Sequence, residues 1–257
     1  EEYMLDPDDS WKVRIDDIRN RMSDDVRMLV LINPNNPTGN VMTSEEIDQV
    51  ISIVQEYPNC MIIADEIYDG LDFTGHQVSI ASRSSSVPVI TLNGVSKVYY
   101  APGWRIGYMA LHDPTKTLLD VKDAIERLLR SRLCASTPAQ YGYLAGLSED
   151  SNWMHQHRSR IKERLDFSIS RINEIDGIEC QAPRGGFYLF VKISNPDLAS
   201  DDKKFVLDLL HSEHVLVVHG SGFSPEFGRG HFRMVCLPDI EILSEAFDRI
   251  ESYLREN

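Results

Sequence analysis

Residues 93–107, NGVSKVYYAPGWRIG, carry a single lysine, Lys97, one position after Ser96 and eight before Arg105. The apolar run 87–92 precedes them and reads as a strand, so Lys97 stands in a small-residue turn at a strand's mouth. An amine held in a tight pocket loses the solvation of its charge and turns nucleophilic, whereas a lysine on an open surface does not. A second apolar run, 60–64, ends in Asp65, and a carboxylate there is costly unless it holds a cation. The plainer readings are a solvated strand-end acid or, with Glu66, part of a metal site, for which no nearby HxxH or acid cluster supplies further ligands. A lysine and an aspartate on neighbouring strand ends are what pyridoxal 5'-phosphate needs, one for its aldehyde and one for its protonated ring nitrogen. Tyr68, three positions past Asp65, and Asn36, within NPNNPTG, offer a phenol and an amide to the ring's phenolic oxygen. Arg105 brings a planar fork suited to a phosphate, and Ser96 a hydroxyl beside the lysine.

Such residues need strand ends to stand on. Residues 26–32, VRMLVLI, form a continuous apolar run, as expected of a strand buried on both faces, and close in the turn cluster NPNNPTG. Thr43 and Glu46 have the spacing of a capping box, and Ile47, Val50, Ile51 and Val54 follow at helical spacing. Residues 60–64, 87–92 and 104–111 read as further strands. The alternation predicts an α/β fold, a mainly parallel sheet flanked by helices, with polar clusters at the carboxyl ends of its strands. Helical stretches near 114–133 and 152–174 follow. A smaller α+β domain then holds the strands 186–193, 215–218 and 231–236 and helices at 201–213 and from Asp239 onward. The expected division is residues 1–155 in the large domain and 156–257 in the small one.

Composition narrows the partners. Forty acids against 26 bases give a formal charge of −14, which disfavours nucleic acid and anionic membranes. There is no apolar run long enough to span a bilayer and no export leader. Cys60, Cys134, Cys180 and Cys236 lie far apart, as free thiols of a cytoplasmic protein would. Other features read as structure: a turn at 184–186, helix-end histidines at His211 and His214, and a Gly-rich loop at 219–222 without the spacing of a nucleophile elbow. Arg127, Arg130 and Arg132 read as a solvated or ion-paired helix face.

NPNNPTG, ADEIYDG, SKVYYAPGWRIG and HFRMV, in this order, resemble the class I/II pyridoxal-phosphate aminotransferases of fold type I. NGVSKVYYAPGWRIGY, RLCASTPAQYGYLAGL and VLVVHGSGF are most similar to the archaeal-type alanine aminotransferases. The resemblance implies a Schiff base at Lys97, a ring-nitrogen partner in Asp65, ring-oxygen donors in Tyr68 and Asn36, and phosphate ligands in Ser96 and Arg105. It also implies that Arg233 grips the substrate α-carboxylate, with Asn36 beside it, and that Phe187 lines the pocket. The implied reaction moves an amino group between L-alanine, or another L-amino acid, and 2-oxoglutarate in a homodimer. No metal is implied. The front third of such enzymes has no counterpart in these residues, so this chain by itself is expected to hold cofactor weakly and to be inactive. An aspartate or aromatic aminotransferase, a C–S lyase of the same fold and a non-catalytic fragment remain as alternatives.

Overall fold

The computed structural model describes residues 1–148 and 152–257. They form two compact units, one of Glu1, Val13–Pro34 and Val41–Trp153, the other of Glu2–Lys12, Asn35–Asn40 and Met154–Asn257. A short hairpin, β1 (Leu5–Asp6) and β2 (Lys12–Val13), opens the chain. No helix among the described residues is long and apolar enough to cross a membrane.

In the first unit, α1 (Ile15–Arg21) leads to β3 (Met28–Ile32), α2 (Ser44–Gln55), β4 (Met61–Asp65), α3 (Ile80–Arg83), β5 (Val89–Gly94) and β6 (Gly107–His112). The sheet order is β3-β4-β5-β6. β3, β4 and β5 are parallel, and β6 returns antiparallel to β5. The mainly parallel sheet is as the alternation predicts, with an antiparallel edge. The capping box forms: Thr43 Oγ1 accepts from Glu46 N at 3.2 Å, and Glu46 Oε2 accepts from Thr43 N at 2.7 Å. Such a cap contributes about 1 kcal/mol. From it α2 runs with Ile47, Val50, Ile51, Ile53 and Val54 buried. β3 departs from expectation. Leu29 and Leu31 are buried, but Met28 and Val30 are 57% and 49% exposed, so the run is buried on one face only. Strand alternation sends successive side chains to opposite faces, and an all-apolar run does not reveal which face is covered.

The return of β6 depends on two facing glycines, Gly94 and Gly107. A Cβ on Gly107 would stand 2.7 Å from the Asn93 carbonyl oxygen, and one on Gly94 would stand 2.8 Å from that of Ile106. These are backbone atoms of a paired strand and cannot rotate away. Gly107→Ala is therefore expected to lower the unfolding free energy by about 2 kcal/mol, read in a urea titration; an unchanged midpoint would contradict this packing.

Three helices follow: α4 (Leu119–Arg132), α5 (Thr137–Ser148) and α6 (Asn152–Ile172). α5 lies between the two helical stretches legible in the sequence and escapes a periodicity reading. Its apolar residues surround the helix, with Ala139 and Tyr143 buried and Tyr141, Leu144 and Leu147 exposed. It packs on the lysine loop through Val95, Ile106, Ala139 and Tyr143. Its glycines are notches: a Cβ on Gly142 would meet the Trp104 ring at 2.6 Å, and one on Gly146 the Tyr99 ring at 2.8 Å. Burial pushes the Tyr143 phenol up to about 12, so it packs there as a neutral group.

The second unit centres on an antiparallel sheet of β7 (Ile178–Glu179), β8 (Tyr188–Ile193), β9 (Val218–His219) and β10 (His231–Val235), in the order β7-β8-β10-β9. The helices α7 (Pro196–Ser200), α8 (Asp202–Glu213) and α9 (Ile240–Glu256), with α6 from Met154 onward, complete it. Leu189, Val191, Phe232 and Met234 alternate toward a core that holds Phe205, Leu209, Leu243, Phe247 and Ile250. Phe205 stacks on Phe232 with ring centres 5.5 Å apart. The register pairs Arg233 with Phe190 and His231 with Lys192, which places these four on the opposite face. His214 caps α8 in the left-handed conformation, with His211 in the last turn.

Candidate active site

Within the first unit, Asp65, Tyr68, Ser96, Lys97 and Arg105 come from the carboxyl ends of β4 and β5 and from the loop into β6. Asp65 closes β4 directly opposite Leu92 of β5. Its Oδ1 accepts from the Ile67 amide at 3.1 Å, and its Oδ2 has no protein partner among the described residues. Next in chain, Glu66 turns the other way and is 4% exposed. It accepts from Ser79 Oγ at 3.0 Å and from the Ile80 amide at 2.9 Å, starting α3. Burial pushes its carboxyl up. The two acids thus divide: Glu66 holds structure, and Asp65 keeps an oxygen available. Among the described residues, no group of three or more His, Cys, Asp or Glu could hold a metal.

Tyr68 is buried, and its ring centre lies 5.9 Å from Lys97 Nζ. Lys97 is half-buried, and no acid among the described residues pairs with it. Ser96 is half-buried beside it. Arg105 adopts φ +52° after the turn Pro102–Trp104, and its guanidinium donates to the Pro102 carbonyl at 2.7 Å. Arg105 is exposed.

The segment after Tyr68 folds back on the strand ends through Asp72, which is 5% exposed. Asp72 accepts from Thr74 N at 2.8 Å and Thr74 Oγ1 at 2.7 Å, and from the amides of His76 at 3.0 Å and Gln77 at 3.1 Å. Gln77 Nε2 then donates to the Asn33 carbonyl at 3.2 Å, and Asn33 N donates to the Asp65 carbonyl at 3.0 Å. Burial pushes the Asp72 carboxyl up, but these hydrogen bonds outweigh it and hold the group below its ordinary range. A carboxyl with a lowered folded pKa stabilises the fold above its ordinary pKa, and loses that contribution as pH falls through the lowered one. Asp72→Asn is expected to cost about 2 kcal/mol at pH 7, with the gap to the parent closing in acid. Urea titrations of both proteins across pH check this; a gap that stays constant into acid contradicts it.

In the second unit, Asn36 and Arg233 meet across 197 positions of sequence: Arg233 Nη1 donates to Asn36 Oδ1 at 2.8 Å. The Asn36 segment is fixed by Gly39, at φ +70°, whose carbonyl accepts from the Arg184 and Gly185 amides at 2.9 Å each. The turn at 184–186 therefore anchors the 35–39 part of NPNNPTG within this unit. Both proline bonds of that motif, Asn33–Pro34 and Asn36–Pro37, are cis. The Arg233 guanidinium carbon lies 4.5 Å from the Tyr188 ring centre and 4.7 Å from that of Phe223. Its Nε is buried without a hydrogen-bond partner, and no carboxylate among the described residues pairs with it. A cation held by an amide and two aromatic faces, with donors to spare, is arranged to receive an anion. Sequence reasoning pointed to Phe187 for this pocket and missed Tyr188 and Phe223. The available signals were the aromatic after Phe187 and the aromatic that ends HGSGF.

The family described as "Aminotransferase class I and II" matches residues 1–250. The structure superposes on an alanine aminotransferase from Pyrococcus furiosus with a TM-score of 0.95 at 46% identity, over 100% of this chain and 64% of that one. The glutamate-pyruvate aminotransferases AlaA of Haemophilus influenzae and Escherichia coli are 36% and 38% identical. They match over 99% and 97% of this chain and 63% of their own lengths, so the chain spans about two-thirds of the relatives it resembles. The fold is that of the fold type I aminotransferases, and the chain belongs to the class I and II aminotransferase family.

Proposed function

We propose that the protein is a pyridoxal-phosphate-dependent aminotransferase acting between L-alanine and 2-oxoglutarate. The observation that carries the reading is the half-buried Lys97 amine beside the Tyr68 ring, with no acid to pair with among the described residues, one strand over from Asp65. The donor set fits a phosphorylated pyridine aldehyde: an amine for the aldehyde carbon, a carboxylate oxygen for the ring nitrogen, a hydroxyl and an exposed guanidinium for the phosphate. Bound there, pyridoxal phosphate supplies an electron sink for the pair left when a substrate loses its α-proton.

The chain's own residues do the rest. Lys97 would hold the cofactor through its aldehyde and, as a free amine, would act as the base that takes the proton from the substrate Cα and as the acid that gives it back. Asp65 keeps a proton on the ring nitrogen. Tyr68 and Asn36 donate to the ring oxygen, and Ser96 and Arg105 hold the phosphate. Arg233, steadied by Asn36, binds the α-carboxylate that donor and acceptor share. Alanine is favoured by the names of the relatives above. A C–S lyase or an aspartate or aromatic aminotransferase would use the same groups, and paired amino-acid and oxo-acid assays separate them. We further propose a cytoplasmic homodimer. Four unpaired thiols support the compartment, and sedimentation of the purified protein tests the assembly.

The deciding experiment adds pyridoxal phosphate to the purified protein, reduces with borohydride and maps the adduct by mass spectrometry. An adduct at Lys97 alone is expected. No specific adduct here, and none at this lysine in a protein that also carries the front third the relatives have, would leave a non-catalytic fragment as the reading.

A further inference from the structure

We propose that the loop Gly220–Gly230 is a positioning device for the carboxylate-binding arginine: Phe223 and Tyr188 sandwich the Arg233 guanidinium, and Asp202 locks the loop that carries Phe223. This rests on the reading of Arg233 as the group that grips the substrate carboxylate.

The two rings lie 4.5 and 4.7 Å from the guanidinium carbon, and Phe223 stands edge-on to Phe190 at 6.2 Å and 86°. At these distances both rings lie against the cation, and neither takes up one of its donors in a conventional hydrogen bond. An acid in their place would pair with the arginine and compete with the substrate. The in-plane edge is left for a bidentate carboxylate, with Nη1 already oriented by Asn36 at 2.8 Å.

The loop is built to hold Phe223 still. Its backbone crosses itself at Gly220 and Gly228, where a Cβ on either would run into the other's carbonyl oxygen. Phe223 N donates to the Gly220 carbonyl at 2.9 Å. Phe227 N donates to Ser224 Oγ at 2.9 Å, and Gly228 N to the Ser224 carbonyl at 2.9 Å. Asp202, 3% exposed at the start of α8, accepts from both Ser221 N and Ser221 Oγ at 2.7 Å. This buried carboxylate has no part in the transfer chemistry, and its two bonds fix the residue two positions before Phe223. HGSGF is thereby a scaffold for one aromatic face.

The test compares Phe223→Ala, Phe223→Leu, Phe223→Tyr and Asp202→Asn with Arg233→Ala. Calorimetry on this chain gives the Kd of propionate, a carboxylate without an amine, and KM and kcat for alanine and for 2-oxoglutarate are measured in a protein that joins these residues to the front third that the relatives have. Phe223→Ala and Phe223→Leu are expected to raise both KM values and the propionate Kd by about tenfold, with kcat within about twofold. Phe223→Tyr restores the parent values, and Asp202→Asn raises all three constants by about threefold or more, because the loop is released. If Phe223→Leu matches the parent, Phe223 only fills space and the clamp is wrong. If Arg233→Ala weakens propionate but neither the Phe223 nor the Asp202 variants do, the clamp falls and the carboxylate site stands. If Arg233→Ala itself leaves propionate binding unchanged, the underlying site reading has failed.

Discussion

In a protein that joins these residues to the front third that the relatives have, Lys97→Ala is expected to lower amino-group transfer by at least about a thousandfold, since on the proposed reading one substitution removes both the nucleophile and the group that moves the α-proton. The side chain donates no hydrogen bond among the described residues and pairs with no acid, so its removal leaves no buried partner unsatisfied. The unfolding midpoint is expected to hold while the rate collapses, and that contrast separates chemistry from structure. Lys97→Arg is expected to be equally inactive. Arginine keeps the positive charge near the Tyr68 ring, but its guanidinium cannot shed a proton to act as base or nucleophile. The measurement is the single-turnover change in cofactor absorbance on adding alanine, with the borohydride adduct mapped in parallel. Activity within tenfold of the parent in either variant would remove Lys97 from the centre of the mechanism.

In that same longer protein, Asp65→Asn is expected to lower kcat by about a thousandfold with little change in stability. The amide retains an oxygen for the Ile67 N–H, a bond of 3.1 Å in the parent, so the β4 terminus is preserved. On the proposed reading, what disappears is the negative charge that would face the ring nitrogen. At about 4 Å and an effective dielectric near 20, that charge is worth about 4 kcal/mol, which corresponds to about three orders of magnitude in rate. Asp65→Glu keeps the charge at a different reach and should recover part of the loss. Rapid-mixing measurement of the alanine half-reaction reads the effect directly. If Asp65→Asn kept kcat within about threefold, the partner of the ring nitrogen would have to be sought elsewhere.

The residues for these two experiments stand out in the sequence alone, and the reason is local. An apolar run followed by a small polar turn announces a strand end, and a lysine or aspartate there is conspicuous because burial makes its charge costly. The Thr43–Glu46 box was legible for a similar reason: its partners are three positions apart and both its bonds form. Elements with no local signature were missed. α5 is apolar all round and has no 3.6-residue stripe to detect, although it seats Trp104 and Tyr99 of the lysine loop in its glycine notches. The antiparallel return of β6 rests on the close approach of Gly94 and Gly107, which strand propensity does not encode. The apolar run at β3 suggested two covered faces where one is covered.

The sequence by itself determined the α/β alternation, the strand ends and the chemical types of the groups at them, because each follows from neighbours within a few positions. Tertiary structure alone decided that Arg233 meets Asn36, 197 residues away, and that Tyr188 and Phe223 hold its guanidinium. It also decided that Asp65 keeps an oxygen available while adjacent Glu66 is spent on α3. Those outcomes depend on strand register, on the face a side chain takes and on long-range hydrogen bonds, which become fixed only when distant segments pack together.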